Sequence, residues 1–73
     1  MEELIALLSE TVEGVDFGKE QKLVDDKILN SMDIIEIVTM IADELDVVIP
    51  AKEIIPENFN SAKLMWEMIE RLR

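Results

Sequence analysis

Between Ser31 and Asp46 the apolar residues Ile34, Ile37, Val38, Ile41 and Leu45 recur at i, i+3, i+4, i+7 and i+11. That period marks one face of an α-helix. Asn30 precedes it as a favoured N-cap, and Asp33 falls at the third helical position, where the positive end of the helix dipole favours an acid. Val47-Val48-Ile49 is β-branched, and Pro50 cannot continue a helix because it lacks the amide hydrogen and restricts the residue before it. A helix over Ser31–Asp46 is therefore the element around which the rest of the chain has to be arranged.

The other stretches carry related signals. From Glu2 to about Glu13, Leu4, Ile5, Leu8 and Val12 recur at helical spacing, with Glu2 and Glu3 at the positive end and Gly14 where a helix would stop. From Val15 to Leu29 the residues Phe17, Gly18, Leu23, Val24, Ile28 and Leu29 share no clean period. This reads as a long ordered loop with at most a short turn, pinned to the core by its scattered apolar side chains. A loop of this length in so small a chain is unusual and points to function. Beyond Pro50, Ala51 to Ile55 reads as one short helical turn closed by Pro56, and Asn58-Phe59-Asn60-Ser61 offers another cap. Met65, Trp66, Ile69 and Leu72 then form an apolar stripe, with Arg71 and Arg73 at the negative end of that helix. Phe59 and Trp66 are assigned to packing. The expected fold is all-α: a small four-helix bundle of three main helices and one short one, with a long loop between the first and second helices. Residues 1–73 are expected to form a single domain with a small core.

Composition removes most chemistry. There is no cysteine and no histidine, so disulfides, thiolate metal sites, histidine-containing triads and histidine zinc motifs are all excluded. Asp25 and Asp26 lie in no EF-hand pattern, and no metal site is assigned. No pair of acids sits in an obvious apolar cleft, so the chain does not read as an enzyme. Seventeen acids against seven bases leave a formal net charge of −10. Nucleic-acid binding needs a basic stripe, and anionic membranes repel such a chain. The natural partner is a protein with a basic patch, reached through electrostatic steering. The N-terminal MEELIALLSE is acidic, and its apolar run is too short for a signal peptide or a membrane span. A cytoplasmic monomer without membrane insertion is the expectation.

Ser31 opens the central helix. With Asn30 as the cap, the Ser31 hydroxyl stands at the helix mouth, where free backbone N–H groups and the dipole favour an anion. Asp25, Asp26 and Asp33 would repel a free phosphate, but a phosphate bonded covalently to Ser31 escapes that objection. The plain alternative is that Ser31 is a capping residue, and position, periodicity and charge by themselves favour that reading.

From Asp25 onward the chain resembles an acyl carrier protein. That family carries its prosthetic-group serine in an Asp-Ser-Leu motif at the start of its second helix. Here the matching residues are Asn30-Ser31-Met32, followed by Asp33-Ile34-Ile35-Glu36-Ile37-Val38. Asp43-Glu44-Leu45-Asp46-Val47-Val48-Ile49-Pro50 is similar to the family's Glu-Phe-Asp-x-x-Ile-Pro signature, with Leu45 in the phenylalanine place. The short helix after Pro50 and a last helix from Asn60 fit in order and length, and the segment Pro56 to Ala62 looks more like the free-standing D-alanyl or peptidyl-type carriers.

The resemblance implies that a phosphopantetheinyl transferase attaches 4′-phosphopantetheine from coenzyme A to Ser31, with Asn30 and Met32 flanking the attachment point. The arm's thiol would then hold an acyl or aminoacyl group as a thioester, loaded by a ligase and passed to downstream transferases with basic patches. The implied pathways are fatty acid, polyketide or nonribosomal peptide biosynthesis. It implies a partner surface on the second helix, where Asp33, Glu36, Asp43 and Glu44 would meet basic groups. Met32 and Ile35 fall off the main apolar stripe and, as exposed apolar residues by the serine, are candidate interface anchors, with burial at a helix flank as the alternative. The plain alternative for the acids is a solvated face that aids solubility. Met40, Leu45, Ile54 and Ile55 are candidates to line a cargo cavity between the second and the minor helix, although ordinary core packing is the reading that sequence by itself favours.

Two departures stand out. Asn30 replaces the usual aspartate and Met32 the usual leucine. Asparagine still caps a helix, but it removes a charge that a modifying transferase would meet beside the serine. Methionine is an adaptable apolar contact. Asn30 keeps open a second reading of another class: an unmodified acidic helical adaptor that binds a basic partner protein.

With a net charge of −10 on a small core, self-repulsion is screened by salt. The thermal midpoint is expected to rise as sodium chloride or magnesium is added. A midpoint independent of ionic strength, measured by circular dichroism, would remove self-repulsion from the account.

Overall fold

A computed structural model describes Met1–Arg73 throughout. Four α-helices follow in order: α1 (Glu2–Thr11), α2 (Ser31–Leu45), α3 (Pro56–Phe59) and α4 (Ala62–Leu72). A 3-10 turn over Ala51–Glu53 lies between α2 and α3. The architecture is the expected all-α arrangement of three main helices and one short one, with the long loop after α1.

In α1, Leu4 and Leu8 are fully buried. The helix stops at Thr11, a little before the Glu13 expected from periodicity. Thr11 donates its hydroxyl back to the Leu7 carbonyl at 2.8 Å, and the β-branched Val12 is already extended. Gly14 then takes φ +82°, a conformation that glycine adopts without penalty.

Residues 12–30 contain no helix, yet they are ordered by their own contacts. Asp16 makes the first bend: its side chain accepts the Gly18 N–H at 3.2 Å, and its carbonyl accepts those of Lys19 and Glu20. Phe17, Leu23 and Leu29 enter the core, with Val15, Val24 and Ile28 packed beside them.

α2 buries Ile37 and Ile41 completely, with Ile34, Val38, Met40 and Leu45 half-buried around them. It ends at Asp46, which turns left-handed at φ 57° while its N–H reaches the Ile41 carbonyl. The chain then runs extended, so alternate side chains face opposite ways. Val47 and Ile49 are buried while Val48 is 81% exposed.

The region after Pro50 differs from expectation. Ala51–Ile55 does not form one helical turn closed by Pro56. The turn is the 3-10 segment Ala51–Glu53, and Pro56 opens α3 at its first position. The reason is the missing amide hydrogen, which costs nothing where a first-turn N–H has no partner. Asn58 ties the two pieces together, donating from Nδ2 to the Glu53 carbonyl at 2.8 Å and to its carboxylate at 3.1 Å. The last helix begins at Ala62, as the residue pattern predicts, and within the expected Asn58–Ser61 cap it is the side chain of Ser61 that caps it, accepting the Leu64 N–H at 3.1 Å.

α4 buries Ala62, Met65, Met68 and Ile69. Phe59 is fully buried at the α3–α4 junction. Trp66 packs at the margin of the core, and the Arg73 guanidinium lies 5.4 Å from its ring centroid. Arg71 bonds the Glu53 carboxylate at 2.8 Å.

A non-glycine residue in the left-handed region costs free energy, and the Asp46 carboxylate also sits at the negative end of α2. Asp46→Gly removes both penalties and is expected to raise stability by about 0.5–1 kcal/mol after the added unfolded-state entropy is counted. Urea unfolding followed by circular dichroism reads the change, and a loss of stability would refute this account of the helix end.

Candidate functional site

The start of α2 is built by reciprocal hydrogen bonds. The Asn30 side chain accepts the Asp33 N–H at 2.8 Å, and the Asp33 carboxylate accepts the Asn30 N–H at 3.1 Å. This is a capping box, which satisfies donors that a helix start otherwise leaves open. The Asn30 carbonyl takes the Ile34 N–H at 3.1 Å. The amides of Ser31 and Met32, as the first two of the helix, have no intrahelical acceptor.

Ser31 is exposed and stands outside the capping box. The cap is therefore Asn30, and the serine hydroxyl is not needed to start the helix. Asp33, expected among the partner-binding acids, is half-buried and committed to the box.

The exposed side of α2 follows from a rotation of about 100° per residue. Met32, Ile35, Glu36, Thr39 and Asp43 are all exposed and fall along one stripe that starts beside Ser31. Met32 is 63% and Ile35 57% exposed, large values for apolar side chains. The two apolar residues thus sit among acids on an open face, as their sequence positions predict. Glu44 is exposed on the flank of this stripe. Thr39 was not singled out in the sequence, though its spacing of seven from Met32 is the signal that places it there. No basic side chain occurs in α2.

The proposed cavity residues do not come together around a space. No cavity is present. Met40 and Leu45 pack against the core, while Ile54 and Ile55 are 40% and 43% exposed. The interior is filled instead by Phe59, Met65 and Met68, none of them accessible.

One polar residue of structural weight had no recognisable signal in the sequence. Asn60 sits between α3 and α4 and is nearly buried, and its side chain bonds the backbone of Val24 and Asp25. Partners 35 and 36 positions away leave no local pattern. Asp25 is engaged there by the Asn60 amide at 3.2 Å, and no group of acids in the molecule is arranged to hold a metal ion. No helix is long and apolar enough to cross a membrane.

No family model and no solved structure matches the chain. Among curated proteins it is similar to Aminoacyl carrier protein 2 of Bradyrhizobium diazoefficiens. The two are 38% identical over 64 residues, covering 88% of this chain and 71% of the relative.

The capping box carries a direct test. Asn30→Ala is expected to cost about 1 kcal/mol, because the Asp33 N–H loses its acceptor, whereas Asn30→Asp keeps an acceptor in place and should be nearly neutral. Chemical denaturation of both variants checks this, and equal losses would contradict the box as the anchor of α2.

Proposed function

The chain belongs to the acyl carrier protein family, and from that premise we propose that residues 1–73 act as one carrier unit whose attachment point is Ser31. A carrier protein is not an enzyme: it holds cargo for the enzymes that act on it. The observation that carries the assignment of Ser31 is its hydroxyl, exposed at the mouth of α2 while Asn30 and Asp33 do the capping.

In this reading a phosphopantetheinyl transferase removes the Ser31 hydroxyl proton, the oxygen takes the phosphate of the 4′-phosphopantetheine group from the pyrophosphate of coenzyme A, and adenosine 3′,5′-bisphosphate leaves. When bound, the group supplies the thiol that a chain without cysteine lacks, and with it a thioester link to an acyl or aminoacyl cargo. The residues present suit a phosphodiester. The unpaired amides of Ser31 and Met32 and the positive end of α2 favour an anion there. The nearest acid in the helix, Asp33, has its carboxylate turned to the Asn30 N–H.

The open stripe of α2 suits transferases and a loading ligase with basic patches. Its acids Glu36 and Asp43 attract the partner, and Met32 and Ile35 offer apolar contact next to the serine. The relative's name supports an aminoacyl cargo, and the filled interior suits cargo that stays outside the helices.

Intact mass is the test. After incubation with coenzyme A and a promiscuous phosphopantetheinyl transferase, the unsubstituted chain should gain one phosphopantetheine. Ser31→Ala should gain none and keep its helical circular dichroism, since the hydroxyl lies outside the capping box. If neither a promiscuous transferase nor one from the source organism adds mass, Ser31 is a plain helix residue and the unmodified adaptor reading replaces this one.

A further inference from the structure

The segment leading into Ser31 is held from the far end of the chain. Asn60 is 9% exposed. Its Oδ1 accepts the backbone N–H of Val24 at 3.0 Å and of Asp25 at 3.1 Å. Its Nδ2 donates to the Asp25 carboxylate at 3.2 Å. Its own carbonyl accepts the Leu23 N–H at 2.9 Å. The Leu23 carbonyl in turn accepts the N–H of Leu29 at 2.9 Å, and Leu29 immediately precedes the capping Asn30. Leu23 and Leu29 are 0% and 3% exposed, so these bonds lie beside core side chains.

A continuous line of bonds thus runs from the α3–α4 junction through the 23–29 segment to the mouth of α2. Within that segment the Asp26 N–H reaches the Lys22 carbonyl and the Lys27 N–H that of Val24, and Lys27 adopts φ 59°. The segment is a tight turn, anchored in the core by Leu23 and Leu29 and bonded from outside by the Asn60 carbonyl and its amide side chain. Removing that side chain would take the acceptor from two part-buried backbone donors.

We infer that Asn60 is a positioning residue for Ser31: it holds the 23–29 turn, and through Leu29 and the capping box it holds the serine in the pose that the modifying transferase engages. The inference rests on the reading of Ser31 as the attachment point. Asn60 acts only through the loop, so it belongs to the presentation of the serine and not to the chemistry. When the clamp opens, the segment before α2 samples other arrangements. An enzyme that binds the clamped form meets a smaller competent fraction, so its affinity for the carrier falls while turnover of the bound carrier is unchanged.

An exchange of partners separates positioning from mere satisfaction of a buried amide. Asn60→Asp keeps an oxygen for the Val24 and Asp25 amides but sets a second carboxylate against Asp25. The double variant Asn60→Asp with Asp25→Asn restores a donor–acceptor pair with the roles reversed, at the net charge of the natural chain. KM and kcat for coenzyme A-dependent modification are measured for all three proteins, with backbone hydrogen exchange at Leu23, Val24, Asp25 and Leu29. Asn60→Asp is expected to raise KM for the carrier about fivefold or more, the scale of one lost hydrogen bond, and to leave kcat within about twofold. Exchange should accelerate at those four amides and not at Ile37 or Ile41, and the double variant should return both readouts toward the natural chain.

An unchanged KM in folded Asn60→Asp, or a double variant that does not recover, overturns the inference. If Asn60→Asp does not fold, the double variant and exchange in the unsubstituted chain decide. The four amides must then open as one unit, and independent opening overturns the clamp. Failure of the unsubstituted chain to be modified is the failure of the Ser31 reading and takes the positioning role with it. Modification with normal KM in folded Asn60→Asp is the failure of this inference by itself.

Discussion

All four helices and the long loop meet in one apolar cluster, and the rest of the structure depends on that shared burial. The cluster of 15 buried residues draws Leu4 and Leu8 from α1, Ile37 and Ile41 from α2, and Met65, Met68 and Ile69 from α4. It also needs Phe17, Leu23 and Leu29 from the loop and Phe59 from α3. A chain of 73 residues has little surface to spare. Its irregular segments therefore have to contribute core side chains, and in doing so they become ordered. The long loop is fixed because it is part of the core.

That constraint leaves α2 with two different faces. Ile37 and Ile41 join the shared core as α2 packs on α1, and the opposite stripe from Met32 to Asp43 is open. The helix start is secured by Asn30 and Asp33, both outside the apolar cluster. Because the cap does not use Ser31, the serine stands at the surface at the start of a capped helix. The carrier role proposed for Ser31 would draw on this combination, an accessible hydroxyl on a capped helix beside an open face of acids and apolar residues.

Legibility along the sequence followed the range of the interactions. α1, α2 and α4 were readable because an apolar stripe repeats within each helix and the caps are local. Asn30 and Asp33 are three residues apart, so their box was within reach of sequence reasoning. Met32 and Ile35 were readable as exposed because they fall off the stripe. The segment from Ala51 to Pro56 is less legible, since a proline between two short apolar clusters is compatible with closing one turn or opening the next. The choice went to opening α3, where Asn58 and Phe59 gain their contacts with Glu53 and the core. The candidate cavity failed for a similar reason: Met40 and Leu45 have the same apolar character whether they line a space or fill one.

The sequence by itself determined the helical class, the central helix with its cap, the acidic charge, the absence of reactive side chains and the exposure of the serine's neighbours. Each of these is a property of composition or of residues within a few positions of one another. Only the tertiary structure decided that the loop is clamped by Asn60 and that the interior is filled. The Asn60 bonds join residues 35 and 36 positions apart, and the filling depends on side chains from every helix. Contacts of that kind exist only once the chain has closed on itself, because no local period or spacing specifies which buried amide will meet which distant backbone.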